Sequence, residues 1–174
     1  MQFHLNGFQT GNPEENNGKN SIRNPPRMRN LTEKADVLIV GCGPAGLTLA
    51  AQLSKFSDIK TVIVEQKEDK LLLGQADGVA CRTMEMFEAF GFSDKVLKEG
   101  YWVNETVFWK PDDKNPKNII RSSKIQDTEE GLSEFPHMVL NQARVHDFYL
   151  DLMKNSPTGL EPDYSRRLVS MKIN

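Results

Sequence analysis

The sharpest apolar pattern in the chain lies between residues 36 and 65. Val37-Leu38-Ile39-Val40 is an unbroken, mostly β-branched run, which predicts a strand buried on both faces. Leu49, Leu53 and Phe56 then recur at helical spacing, and Thr61-Val62-Ile63-Val64 predicts a second strand. A polar loop over 66–77 follows. It leads to a short helix marked by Thr83, Met84, Met86, Phe87 and Phe90 and stopped by Gly91. The stretch 101–109 reads as β structure, with Trp102 and Trp109 as core residues, and the turn-rich segment 110–117 breaks it. His137-Met138-Val139-Leu140 predicts another short strand, and Val145, Phe148, Tyr149 and Leu152 mark an amphipathic helix. Val169, Met171 and Ile173 alternate as a last strand. Residues 1–33 show no periodicity and are crowded with Asn, Gly, Pro and Arg between 10 and 30. They read as a flexible N-terminal arm that buries too little to offset its ordering entropy, with room for a short strand around Phe3 to Phe8.

The first strand and helix are joined by Gly41-Cys42-Gly43-Pro44-Ala45-Gly46, a G-x-G-x-x-G pattern in the strand–turn–helix context that gives it meaning. Gly41 suits a tight turn off the strand, Gly43 leaves the backbone open to a pyrophosphate, and Gly46 allows close helix–sheet packing. Pro44 fits the first helical turn, where a missing N–H costs nothing. The helix-start N–H groups and dipole favour phosphate. Glu65, 19 residues past Gly46 at the end of the second strand, is placed to accept ribose hydroxyls. A solvated strand-end glutamate is the plainer reading, yet three features in register favour a dinucleotide site. The same unit serves NAD and FAD, so the fingerprint leaves that choice open.

Composition narrows the class. The 174 residues are 38% hydrophobic and 26% charged, enough for one domain with a real core. A net charge of −2 gives no electrostatic reason to expect nucleic acid or an anionic membrane as partner. The apolar runs are short and broken, so no bilayer-spanning helix and no secretory signal is expected. Cys42 and Cys81 are too few for a disulfide framework, and His4, His137 and His146 lack ligand spacing, so no metal site is expected. A reducing, cytoplasmic setting follows. Cys42 reads as a small packed thiol, Arg166-Arg167 as a solvated pair, and no nucleophile–base constellation stands out.

Longer stretches carry a resemblance. The run from Asp36 to Glu65 is one of them, with Gly74-Gln75-Ala76-Asp77-Gly78 and Cys81-Arg82-Thr83-Met84-Glu85 after it. Gln126-Asp127-Thr128 through Gly131-Leu132-Ser133-Glu134-Phe135-Pro136 and Leu140-Asn141-Gln142-Ala143-Arg144 complete the set. Together they resemble the flavin-dependent aromatic hydroxylases (group A flavoprotein monooxygenases) over most of 36–174. The resemblance implies an α/β fold: a Rossmann-like FAD-binding domain with β insertions, incomplete at its C-terminus. Residues 34–174 would form the N-terminal part of that domain. The family's later cofactor segments, substrate domain and thioredoxin-like C-terminal domain have no counterpart in this sequence.

The resemblance further implies FAD as cofactor, NADPH as transient reductant, and O2 and a phenolic small molecule as substrates. A flavin hydroperoxide would deliver oxygen to the ring. The substrate could be a 3-hydroxybenzoate-like acid or a simple phenol, and the intact protein a homodimer. By the same resemblance Asp77 is the carboxylate near the substrate hydroxyl and flavin, where it could assist deprotonation. Gln142 matches a position that contacts FAD, and Gln66, Gln75 and Arg82 join Gly41, Gly43, Pro44, Ala45, Gly46 and Glu65 as cofactor-binding candidates. The plainer roles are a turn residue for Asp77, helix-start hydrogen bonding for Gln142, and solvation or ion pairing for Arg82 and Arg144. Two readings stay beside this one: a nicotinamide dehydrogenase, disfavoured by 74–78 and 141–144, and a shortened, non-catalytic nucleotide-binding module.

Overall fold

A computed structural model of the chain describes residues 34–173 together with 3–4 and 7–8. Apart from 3–4 and 7–8, the flexible arm expected over 1–33 lies outside the described residues. Strands β1 (Phe3–His4) and β2 (Gly7–Phe8) pair antiparallel, in keeping with the short strand allowed there. The rest divides into two compact units, one formed by 34–75 with 142–173 and the other by 76–141.

The first unit is built on β3 (Val37–Val40), α1 (Pro44–Leu53) and β4 (Thr61–Val64). β3 and β4 pair in parallel, Val37 opposite Thr61 through Val40 opposite Val64. Parallel pairing needs a crossover, and α1 supplies it. Leu47, Ala50 and Ala51 form its buried stripe, closing on Ile39 and Ile63. The small alanines let α4 (Gln142–Lys154) pack closely on α1, and Tyr149 Oη lies 2.8 Å from Thr48 Oγ1. Val64 bridges in parallel to Asp163, so the segment after α4 continues the sheet at the β4 edge.

Three expectations fail in this unit. The stripe expected of α1 is displaced: Leu49 and Phe56 are exposed, Phe56 lies beyond the helix, and Leu47, Ala50 and Ala51 are buried instead, because small residues suit the close packing on α4. β3 is buried on one face only: Ile39 is 5% exposed, but Leu38 and Val40 are 52% and 51% exposed. An all-apolar run records what both faces would tolerate, and among the described residues α1 covers one of them. The last strand does not form either. Val169, Met171 and Ile173 are 90%, 75% and 88% exposed, and no strand pairs with them among the described residues. Alternation favours a pleated surface, but a strand exists only where a neighbour completes its ladder.

The second unit carries β5 (Gly78–Val79), α2 (Cys81–Phe90), α3 (Ser93–Glu99), β6 (Tyr101–Val103), β7 (Glu105–Pro111), β8 (Ile119–Gln126) and β9 (His137–Val139). An antiparallel sheet of order β5-β9-β6 packs on α2, with Met84, Phe87, Val96 and Met138 at the centre. Gly91 ends α2 in the left-handed region at φ 82°, as its sequence position predicts. β7 and β8 form a hairpin with a register shift between Phe108 and Trp109. Trp102 and Trp109 are 52% and 62% exposed, so neither is the core residue expected of it. α3 and β8 carried no readable pattern. α3 buries only Ser93 and Val96, and every residue of β8 is exposed, so neither element needed an apolar stripe.

A Cβ added to Gly46 would sit 2.1 Å from the carbonyl oxygen of Gly41 and 3.4 Å from Ile39 Cγ2. The first of these is backbone and cannot swing away. Gly46→Ala should therefore lower unfolding free energy by about 2–3 kcal/mol, the upper part of the overpacking range. An unchanged midpoint in urea unfolding would refute the close approach.

Candidate cofactor site

The site begins where β3 ends. Gly41 takes φ +103°, a conformation that side chains other than glycine's rarely adopt, and its N–H donates to the Val64 carbonyl at 2.8 Å. The turn is thus stitched to the second strand as it leaves the first. Gly43 is the N-cap of α1, no side chain caps that helix end, and Pro44 occupies its first turn. A Cβ on Gly43 would meet no protein atom within 4 Å. Its absence relieves no internal clash; it keeps space open in front of the helix.

Glu65 is the electrostatic hinge of the turn. Its Oε2 accepts the N–H of Cys42 at 2.8 Å, and its Oε1 accepts the N–H of Lys67 at 3.0 Å. Partial burial opposes ionisation, but these backbone donors, with the Lys67 charge and the Gln66 N–H, outweigh it and hold the carboxyl below its ordinary range. The same carboxylate raises the Cys42 thiol. Burial first and the Glu65 charge second push it up to about 12, so the thiol is a packed, un-ionised group.

A cavity of about 190 Å³ opens between this turn and α4, lined by Cys42, Gly43, Leu47, Glu65, Gln142 and His146 among others. Pockets that hold a drug-sized ligand span roughly 300–1,000 Å³, so this one suits only part of a dinucleotide. The loop 66–75 adds Lys67, Asp69, Leu71 and Gln75 to its wall. Gln142 accepts the N–H of Gln75 through Oε1 at 2.9 Å, which leaves its amide N–H groups as donors. Two side-chain atoms of this unit, His146 Nε2 and Tyr164 Oη, are buried without a hydrogen-bond partner. Such an atom costs on the order of 1–3 kcal/mol. Burial lowers the basicity of His146 and raises the Tyr164 hydroxyl pKa, so both are neutral near pH 7. An uncapped helix end, open space at Gly43, free amide donors and an unpartnered imidazole in the cavity wall fit the phosphate and adenosine half of FAD.

Among the expected residues, Gly41, Gly43, Pro44, Ala45, Gly46, Glu65, Gln66, Gln75 and Gln142 belong to this unit. Gly43, Pro44, Glu65, Gln75 and Gln142 line the cavity; Gln66 is exposed beside it in sequence. Asp77 and Arg82 belong to the other unit. Asp77 is exposed, and its carbonyl accepts the N–H of Leu140 at 2.8 Å. Arg82 pairs with Glu85 at 2.7 Å on the surface of α2, the plainer of its two roles. Arg144 does form an ion pair, to Asp147 at 3.3 Å.

The sequence reading weighed His137 only as a metal ligand. Its Nδ1 lies 2.5 Å from Asp127 Oδ2, and its Nε2 would be 3.3 Å from a Cβ on Gly78, the residue after Asp77. The β5–β9 register, Gly78 opposite Val139, brings these strands together. Asp127 and His137 are ten apart in the chain, a spacing that signals nothing by itself. His146 was likewise weighed only as a metal ligand, and Lys67, Asp69 and Leu71 were given no role, since no motif marks a polar loop that a distant helix converts into a wall.

With this geometry, residues 34–172 match the FAD binding domain family, and the chain belongs to that family. It is 61% identical over all 174 residues to 3-hydroxybenzoate 4-monooxygenase of Comamonas testosteroni, covering 100% of this chain and 27% of that protein. It is 32% identical over 119 residues to a phenol 2-monooxygenase of Aspergillus fumigatus, covering 68% of this chain and 20% of the relative. The chain therefore spans about a quarter of the length of these relatives. Among solved structures it resembles the flavin-dependent monooxygenase PieE in complex with FAD and substrate. The TM-score there is 0.65 at 22% identity, over 80% of this chain and 25% of the other, a likeness of fold. The FAD assignment closes the choice between nicotinamide and flavin that the glycine pattern left open. No helix among the described residues is long and apolar enough to cross a membrane.

The Glu65 arrangement sets a pH dependence. Its folded pKa lies below the unfolded one, so its contribution to stability is present above about pH 4.5 and is lost as pH falls through the folded value. Glu65→Gln should remove that contribution. In urea unfolding the parent should exceed the variant at about pH 6, and the difference should shrink at about pH 3. A difference that stays constant across this range would show that the carboxylate charge is irrelevant to the turn.

Proposed function

We propose that this chain forms the adenosine-side FAD-binding portion of a monooxygenase that hydroxylates a phenolic ring, with a 3-hydroxybenzoate-like acid as substrate. The observation that carries this reading is the 61% identity across the whole chain to a 3-hydroxybenzoate 4-monooxygenase. The phenol alternative rests on weaker and shorter similarity.

The residues divide the work. Gly41, Gly43, Pro44, Ala45 and Gly46 present the open start of α1 to the cofactor pyrophosphate. Glu65 keeps a lone pair on each oxygen for ribose hydroxyls while holding the turn. The Gln142 side-chain amide donates to phosphate or ribityl oxygens. Gln66 and Gln75 edge the same region; Arg82 is assigned to the cofactor by the family resemblance alone, since its guanidinium is paired with Glu85. Bound FAD supplies the two-electron chemistry that activates O2, with NADPH as reductant. Asp77 acts on the substrate: its carboxylate accepts the phenolic O–H, drawing the proton away and enriching the ring carbon that takes up oxygen. Asp77 is exposed within its unit and is open to such a contact.

A 190 Å³ cavity holds only part of the cofactor, so the 174-residue chain by itself should bind FAD weakly and show no substrate-dependent NADPH oxidation. Gly43→Ala should abolish the residual FAD binding, followed by quenching of flavin fluorescence. Its cost in stability should stay under about 1 kcal/mol, because the new methyl meets no protein atom. FAD affinity that survives Gly43→Ala would sink the assignment of the turn to the pyrophosphate. Aromatic-dependent NADPH oxidation by this chain alone would sink the division of labour.

A further inference from the structure

We propose that Lys70 and Asp147 form a positioning latch, holding the loop 66–75 against α4 and so setting how long the adenosine half of FAD stays bound. The inference rests on the FAD reading of the cavity.

The loop has a problem to solve. It runs through Gln66-Lys67-Glu68-Asp69-Lys70 before reaching Leu71-Leu72-Leu73, with no helix or strand of its own. Such a segment has little apolar burial to offset the entropy of ordering it. Yet four of its residues, Lys67, Asp69, Leu71 and Gln75, line the cavity. Opposite them α4 contributes Gln142, Val145, His146 and Tyr149. The cavity has this wall only while the loop stays against the helix.

Backbone contacts secure the two ends. Near the start, the Lys67 N–H donates to Glu65 Oε1 at 3.0 Å and the Lys67 carbonyl accepts the Ser165 N–H at 2.8 Å. At the end, the Gln75 N–H donates to Gln142 Oε1 at 2.9 Å. Between them the Lys70 ammonium donates to Asp147 Oδ1 at 2.8 Å. Its side chain is 28% exposed, that of Asp147 only 7%. This is a partly desolvated pair, so water screens it less than a surface one. Asp147 follows the cavity-lining His146 directly, so the anchor is on the helix that forms the opposite wall.

Asp147 is also held from its own helix, where Oδ2 accepts from Arg144 at 3.3 Å. Removing Lys70 therefore frees the loop without leaving a buried carboxylate unpaired. Removing Asp147 would leave the buried Arg144 without this partner. Lys70 is accordingly the residue to vary.

The test compares the parent chain with Lys70→Met and Lys70→Arg by hydrogen exchange without nucleotide, and by titration with FAD and with ADP. In Lys70→Met, amides over 67–75, that of Gln75 above all, should exchange at least tenfold faster, with β3 and α1 unchanged. Dissociation constants for both nucleotides should rise roughly tenfold, mainly through faster release, and Lys70→Arg should restore both readouts. Unchanged exchange over 67–75 in Lys70→Met would overturn the latch, as would Lys70→Arg behaving like the methionine variant. Lost protection across β3 and α1 would also overturn it, by showing that the pair holds the whole unit. If the parent binds neither FAD nor ADP, the cofactor reading fails and with it the residence-time claim, while exchange still decides whether the pair holds the loop.

Discussion

Backbone packed against backbone at the end of β3 is the constraint on which the site depends. The Gly41 carbonyl stands where a side chain on Gly46 would begin, 2.1 Å from the position of the absent Cβ. Helix α1 can start this close to the strand only with hydrogen at that position. Gly41 itself turns through φ +103° and hands its N–H to β4. From there the polarity of the site follows. The helix opens toward the space left by Gly43, and Glu65 at the end of β4 reaches back to hold the turn through the Cys42 N–H. The carboxylate proposed to meet ribose is already part of the fold's hydrogen bonding, so on that proposal cofactor recognition and turn stability would draw on the same group.

The opposite wall is made differently. It comes from α4 and the loop after β4, joined by the Lys70–Asp147 pair and by the Gln75 N–H on Gln142, while Tyr149 ties α4 to Thr48 of α1. α4 buries Arg144, His146 and Asp147 alongside Phe148 and Tyr149. Charges inside a helix interface are tolerated when paired, and the Arg144–Asp147 pair meets that condition, with the Arg144 guanidinium also lying 4.6 Å from the centre of the Phe148 ring. His146, neutral near pH 7, leaves its Nε2 buried without a hydrogen-bond partner. An unsatisfied atom in the wall of a cavity is a cost that the folded chain carries at the place where a ligand would offset it.

Apolar surface is spread widely over both units. Leu38 and Val40 on β3, Leu168, Val169, Met171 and Ile173 after α4, and Phe108, Trp109 and Ile119 on the β7–β8 hairpin are all exposed. The hairpin has both faces exposed and a kink at Phe108–Trp109, the kind of irregularity that bends a ribbon and increases its twist. An edge as long as β8 is a ready template for unwanted pairing, and its Arg121 and Lys124 supply the charges that discourage it.

Much of the nucleotide turn was legible in sequence, because its requirements are local. A left-handed residue, a missing Cβ, a proline in the first helical turn and an acid after the next strand are each written by single residues at fixed spacing. α2 and α4 were legible because each carries an apolar stripe at helical period; α1 was placed correctly, but its buried face is Leu47, Ala50 and Ala51, not the Leu49, Leu53 and Phe56 stripe read from sequence. What the chain did not disclose is contact between distant segments. His137 meets Asp127 and Gly78 through a strand register, and Lys70 meets Asp147 across 77 positions. β8 has no buried face to write a pattern, while 169–173 has the pattern and finds no partner among the described residues. Periodicity reports which side chains would tolerate burial and spacing reports local backbone demands; whether a face is covered, a ladder completed or a charge paired was decided only by the tertiary structure, because each depends on a second segment that the first does not encode.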